Sequence, residues 1–227
     1  MQRRELCAWL GTSALAALAA RPAWAFSLNE TDASAGIRAA LERGANAALT
    51  NLGRTDGFLG NPEVRIELPG ALKDAARILR ATGQGRRLDD LVTAMNRAAE
   101  QAMPEARQVL VSTVRSISVE DAVRIVRGGD NAVTRFFEDK TREPLMERFL
   151  PIVTKATERQ SLAEKYNAVA GKAAGFGLVR REDANVQSYV TGKALDGLYY
   201  MIGQEEKKIR QDPIGTGSAL LKRVFGG

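Results

Sequence analysis

The chain contains no histidine and one cysteine, Cys7. Without imidazole there is no Ser-His-Asp or Cys-His relay and no His-ligated haem, and a lone cysteine builds neither a zinc cage nor an iron–sulfur cluster. No phosphate-binding Gly-x-x-x-x-Gly-Lys-Ser/Thr loop occurs, nor a Gly-x-Ser-x-Gly elbow, a Ser-x-x-Lys pair or a calcium loop. Gly83-Gln84-Gly85 lacks the third glycine and the preceding strand of a dinucleotide fingerprint, and reads as a turn between helices. No metal and no cofactor is implied. Chemistry by carboxylate, lysine, tyrosine or hydroxyl groups remains, or none at all.

Long apolar runs are also missing. Leu10 to Ala20 is a short run of small and apolar residues behind Arg3 and Arg4, followed by Ala23-Trp24-Ala25, a small-x-small cleavage pattern. Residues 1–25 are therefore expected to be a signal peptide, and the mature chain to begin at Phe26. Arg3-Arg4 also resembles the opening of a twin-arginine signal, so either export route stays open. No later segment approaches about 20 uninterrupted apolar residues, so a soluble, periplasmic product without a transmembrane segment is expected.

Removing residues 1–25 takes away Cys7, Trp9 and Trp24 and changes the balance from 33 bases and 27 acids to 30 and 26. That excess is mild and interspersed, unlike the clustered basic face of a nucleic-acid binder, so no nucleic-acid partner is expected. A chain of this length without disulfides must rely on its core, and residues 26–227 are read as a single helical domain.

Helical spacing dominates what is there. Ile37, Leu41, Ala48, Leu49 and Leu52 form one stripe that ends at Gly53. The loop from Arg54 to Pro62 is rich in turn residues, with Phe58 and Leu59 placed to plug it into the core. Val64 to Leu68 alternates apolar and charged residues as a short extended piece lacking a partner strand. A short helix is expected through Leu72 and Leu79. Leu88, Leu91, Val92, Met95, Ala99 and Met103 form a strong stripe that Pro104 should kink or split before Val109 to Val114. Ser118 and Asp121 resemble a capping box, Asp130 is placed to cap a helix with Val133, Phe136 and Phe137, and another helix runs from Thr141 to Val153. Ser161 with Glu164 forms a second capping box, and a last helix is expected after Pro213. Eight or nine helices and no substantial sheet make an all-α multi-helix domain.

Its spine is Glu182 to Asp212, proline-free, with Val186, Val190, Ala194, Leu198, Met201, Ile202 and Ile209 on one side. That phase puts Glu205 inside the apolar stripe and turns Glu206, Lys207 and Arg210 away. The other side carries Gly192, Asp196, Tyr199 and Gly203, and glycines that each cost a helix about 1 kcal/mol relative to alanine suggest close packing or a contact.

Thr55-Asp56-Gly57-Phe58-Leu59, Asn96-Arg97-Ala98-Ala99-Glu100, Phe149-Leu150-Pro151-Ile152-Val153, and above all Lys193 to Leu198 with Glu205 to Pro213, resemble an exported Gram-negative bacterial family catalogued as a domain of unknown function (family 4197). The resemblance runs from about Gly36 to Phe225 and implies a mostly helical exported domain, without an activity or ligand to carry over.

Three places are candidates for function. Glu205 on the stripe would have its acidity weakened by burial unless a cation meets it; the commoner use of such a group is a structural ion pair, with Lys140 as partner. Asn96 and Glu100, one turn apart, would present an amide and a carboxylate to a groove, although such an asparagine more commonly satisfies the backbone of a neighbouring loop, here Thr55 to Gly60. Gly128-Gly129-Asp130 with Thr134 offers amides to an anion, but the Asp130 carboxylate competes for them. Tyr199, Tyr200 and Lys207 could line a wet surface. Two functions follow. One is a binding module whose groove beside the spine holds a lipid, peptide or envelope partner. The other is a carboxylate enzyme on a cell-wall glycan, built on Glu205 with Asn96, Glu100 or Asp196 and needing oxygens about 5–9.5 Å apart. A purely structural envelope protein is the third reading.

Overall fold

The computed structural model describes residues 30–70, 85–158 and 185–212, with scattered positions between them. The expected signal peptide, the Ser161 capping position and the last helix lie outside the described residues, and the Leu72–Leu79 helix is described there only at Ala76. Five helices are described from end to end: α1 (Glu30–Gly53), α2 (Gly85–Arg115), α3 (Val119–Arg127), α4 (Ala132–Thr157) and α5 (Val186–Gln211). No strand occurs among the described residues, so the chain is all-α.

Among the described residues the helices are fewer and longer than the eight or nine expected, because Pro104 fails to divide α2 and nothing breaks α4 between Phe137 and Thr141, where two helices were expected. Pro104 sits inside α2, and both Pro144 and Pro151 sit inside α4. A proline removes one helical hydrogen bond and crowds the preceding turn, at about 3 kcal/mol. Here packing offsets that cost: the stripe continues past Pro104 through Ala106, Val109, Leu110 and Val114, and past Pro144 through Leu145, Phe149 and Val153, all buried.

The four long helices close a ring, α1 to α2 to α4 to α5 and back to α1, with α2 and α5 also touching across it. Fully buried Ala98, Ala99, Ala102 and Ala106 let the neighbours of α2 approach closely, while Phe58, Phe137 and Phe149 fill the wider spaces. Burial of each such phenylalanine contributes about 1.5–3 kcal/mol. Short α3 straps α1 to α4. It begins with the expected capping box: the Asp121 N–H donates to Ser118 Oγ at 3.1 Å and the Ser118 N–H to Asp121 Oδ2 at 3.3 Å. The spine helix α5 starts at Val186, where Asn185 Oδ1 accepts the Ser188 N–H at 2.7 Å. Among the described residues, no helix is long and apolar enough to cross a membrane.

Candidate functional site

On α5 the inward acid is Glu206, whose side chain is 3% exposed. Its burial corrects the phase expected from sequence. At about 100° per residue, Glu206 lies roughly 40° from Ile202 and Glu205 roughly 60° to the other side. Buried Leu195 and Tyr199 shift the centre of the stripe toward Glu206. Glu205 sits at its flank, paired with Lys208 on the same helix at 2.6 Å. Lys140 is exposed on α4 in a separate hollow with Arg124 and Arg135, so the expected Glu205–Lys140 pair is replaced by the Glu205–Lys208 pair.

Glu206 caps another helix. Asn131, at the start of α4, has φ +67° and makes no side-chain cap, and the Asp130 expected to cap is exposed. Glu206 instead accepts the Val133 and Thr134 N–H groups at 3.2 Å each and the Thr134 hydroxyl at 3.1 Å. A carboxylate there also meets the positive end of the helix dipole. Arg210, one turn on, donates to Glu206 at 2.9 Å and to the Ile125 carbonyl in the last turn of α3 at 3.1 Å. One turn of α5 thus fastens both sides of the α3–α4 elbow. The anion site considered at Gly128 to Thr134 is closed by Glu206.

A parallel arrangement holds the loop after α1. Glu100 Oε1 accepts the Phe58 and Leu59 N–H groups at 3.1 and 3.2 Å, and its other oxygen meets Arg97 at 2.6 Å. Arg97 reaches on to Asp56 at 2.8 Å, and the bonds to Glu100 and then Asp56 raise its pKa above the usual guanidinium value. Asn96, fully buried, accepts the Ile66 N–H at 2.8 Å and donates to the Ile66 carbonyl at 2.9 Å. A side-chain amide thereby stands in for the partner strand that Val64 to Leu68 lacks. Both residues serve loop backbone, and neither faces an open groove. Gly57 is required here, since a Cβ would lie 2.3 Å from the Leu52 carbonyl oxygen.

Asp196 and Tyr199 meet α4. Asp196 is exposed and pairs with Arg142 at 2.8 Å and Lys193 at 3.1 Å. Tyr199 is buried rather than on an open face. Its hydroxyl lies 3.0 Å from Thr141 Oγ1, the Arg142 guanidinium stands 6.0 Å from its ring centre, and burial pushes its pKa up to about 12. The glycines divide as well. Gly192 faces nothing within 4 Å, whereas a Cβ on Gly203 would come 3.1 Å from Thr134 Oγ1. On α5 the closest approach is at Gly197, a glycine without a role in the sequence pattern; a Cβ there would lie 2.7 Å from the Phe58 ring.

Beside Gly203 a cleft of about 420 Å³ opens between α5 and the elbow. Its inner wall is Thr134, Tyr199, Glu206 and Arg210, all bonded within the protein. Its rim is different: the side chains of Asp130, Asn131, Gln204 and Lys207 form no hydrogen bond or ion pair among the described residues. Tyr200 stands on the rim at 38% exposure, its hydroxyl donating to Glu63 at 2.7 Å, a bond that raises its pKa. Among the described residues no group of acids is placed to hold a metal ion. Of the sequence candidates, the structure pairs Asn96 with Glu100 and Asp196 with Tyr199, and separates both from Glu205 and Lys140. Comparison with known proteins finds a family profile described as "Protein of unknown function (DUF4197)" matching residues 27–226. No curated protein and no solved structure matches the chain.

Proposed function

Because the chain belongs to the DUF4197 family of proteins of unknown function, its role has to be read from its own residues, and we propose that it is a non-catalytic binding module of the bacterial envelope. The ligand site is the cleft beside Gly203. Its rim is the observation that carries this reading: four polar side chains without a partner among the described residues converge on a concavity of ligand size. The inner wall is fixed by the Glu206 and Arg210 bonds, so the cleft is held open before any ligand arrives.

The carboxylate-enzyme reading is weaker. Each acid it would use is closed by a cation: Glu100 by Arg97 at 2.6 Å, Asp196 by Arg142 at 2.8 Å, and Glu205 by Lys208 at 2.6 Å. Each pairing occupies a carboxylate oxygen and leaves it less free to meet a substrate.

Export to the periplasm belongs to the same proposal. It rests on Arg3-Arg4, the apolar run and Ala23-Trp24-Ala25, and is supported by a family match that starts at residue 27, beside the expected cleavage point.

Native mass spectrometry of protein recovered from its host tests both. A periplasmic protein lacking residues 1–25 and carrying a bound molecule is expected, with that molecule lost when Gln204→Trp fills the cleft. Bare protein, or cargo indifferent to that substitution, would overturn the cleft; an uncleaved cytoplasmic chain would overturn export.

A further inference from the structure

We propose that the cleft between α5 and the α3–α4 elbow is a saccharide site that takes an uncharged, polyhydroxylated ligand. This rests on the binding reading above and names the chemistry of its ligand.

The groups that would attract an anion are already engaged. Glu206 holds the Val133 and Thr134 amides, and the Arg210 guanidinium is bonded to Glu206 and to the Ile125 carbonyl. The rim also carries one positive and one negative side chain, Lys207 and Asp130, so it has no net charge to favour an anion. A lipid tail finds no slot leading inward from this cleft among the described residues. Behind the Glu206–Arg210 pair, between α1 and α5, the apolar void holds about 20 Å³, room for a water and no acyl chain.

What the rim offers is a mixture of donors and acceptors. The carboxamides of Asn131 and Gln204 each present two N–H donors and an acceptor oxygen, Asp130 accepts, and Lys207 donates. Sugar hydroxyls both donate and accept, so such a set can satisfy several neighbouring hydroxyls at once. Tyr200, Gly203, Gln204 and Lys207 follow one another on a single face of α5. Gly203 has no side chain to fill the floor, and the Glu63 bond pins the half-exposed Tyr200 ring, which suits the C–H face of a sugar.

Asn131 is placed at the cleft by the elbow. It holds φ +67°, a left-handed conformation that asparagine adopts more readily than most residues, and its side chain does not cap the helix it precedes. Its Oδ1 lies 3.8 Å from the position of a Cβ on Gly203, which places its amide at the cleft.

The test titrates the full chain with chitotetraose and maltotetraose, screens it on a mixed glycan array, and uses inorganic phosphate and dodecylphosphocholine as competitors. Binding of a neutral saccharide is expected, weakened at least about tenfold by Asn131→Gly with Gln204→Ala. Glycine tolerates the positive φ of Asn131, so an unchanged or raised melting midpoint shows that the double variant is folded. No saccharide binding, or displacement by phosphate or the detergent, overturns the ligand class. If cargo still disappears with Gln204→Trp while every saccharide fails, the cleft stands and the saccharide falls. Saccharide binding untouched by any of these substitutions removes both.

Discussion

One Arg210 nitrogen donates to Glu206 at 2.9 Å and to the Ile125 carbonyl at 3.1 Å, so an ion pair one turn long on α5 closes the end of α3 while Glu206 closes the start of α4. Glu206→Ala leaves two helix amides without their acceptor and takes the carboxylate away from a 16%-exposed guanidinium. We expect a loss of about 3–5 kcal/mol, read from the urea midpoint. Glu205→Ala breaks only a pair whose lysine is 62% exposed and should cost about 1 kcal/mol or less. Equal losses would show that the inward acid has been misassigned.

Asn96→Asp isolates the amide that replaces a strand. The Asn96 Nδ2 group donates to the carbonyls of Ile66 and Val92 at 2.9 and 2.8 Å. An ionised carboxylate cannot donate and would face two carbonyl oxygens, so its folded pKa rises above the unfolded value of about 3.9. Sign then follows from linkage: the variant is least impaired below about pH 4 and loses stability relative to the native chain as pH climbs through the raised folded value. Paired denaturation curves at acid and neutral pH check this, and a pH-independent difference would refute it.

Tyr199 gives a pH signature of its own. Its unfolded phenol titrates near 10 and its folded one at about 12, so the folded chain holds more protons between these values. The stabilisation is intact below about pH 10 and falls by roughly 2–3 kcal/mol as pH rises through 12. Tyr199→Phe should lack that alkaline drop, at a cost of about 1 kcal/mol near neutrality for the lost bond to Thr141. Overlapping lysine titration cancels in the difference between the two proteins. Parallel alkaline curves would count against a buried Tyr199.

Two glycine substitutions on the same helix should act in opposite directions. Gly197→Ala forces a methyl to within 2.7 Å of the Phe58 ring and 3.3 Å of Val64 Cβ. Overpacking by about 1–3 kcal/mol outweighs a propensity gain of about 1 kcal/mol. Gly192→Ala meets nothing within 4 Å and should stabilise by about 0.5–1 kcal/mol. Thermal midpoints moving the same way for both would contradict this packing.

The class of the fold was legible because helical periodicity is a local signal: the α2 stripe from Leu88 to Met103 is buried as its spacing predicts. The Ser118–Asp121 box was readable for the same reason. The division expected between Phe137 and Thr141 was wrong, since local spacing says nothing of the tertiary burial of Val133, Phe137, Thr141, Leu145 and Phe149 that keeps α4 whole. The site was less readable. Glu205 and Glu206 differ by one step of the helix, and leaving Leu195 and Tyr199 out of the stripe was enough to select the wrong acid. That Asn96 serves loop backbone followed from the rule for buried polar groups, whereas Glu100 was expected at a groove and its service to Phe58 and Leu59 was not read. Which loop each serves, Ile66 for the amide and Phe58 for the acid, depends on contacts 30 and 42 residues apart in sequence. No pattern in Asn131 announces its positive φ, which the elbow imposes.

The α3–α4 elbow is fastened by residues more than 70 positions downstream. Phe58, Glu63 and the Glu67 carbonyl likewise wait for Gly197, Tyr200 and Tyr189. A ribosome delivers α1 through α4 first, with the amides of Val133 and Thr134 still bonded to water. Completion of the fold is thereby timed to the arrival of α5, and a nascent chain halted before Val186 would stay a target for proteases even though most of its apolar residues had already been made.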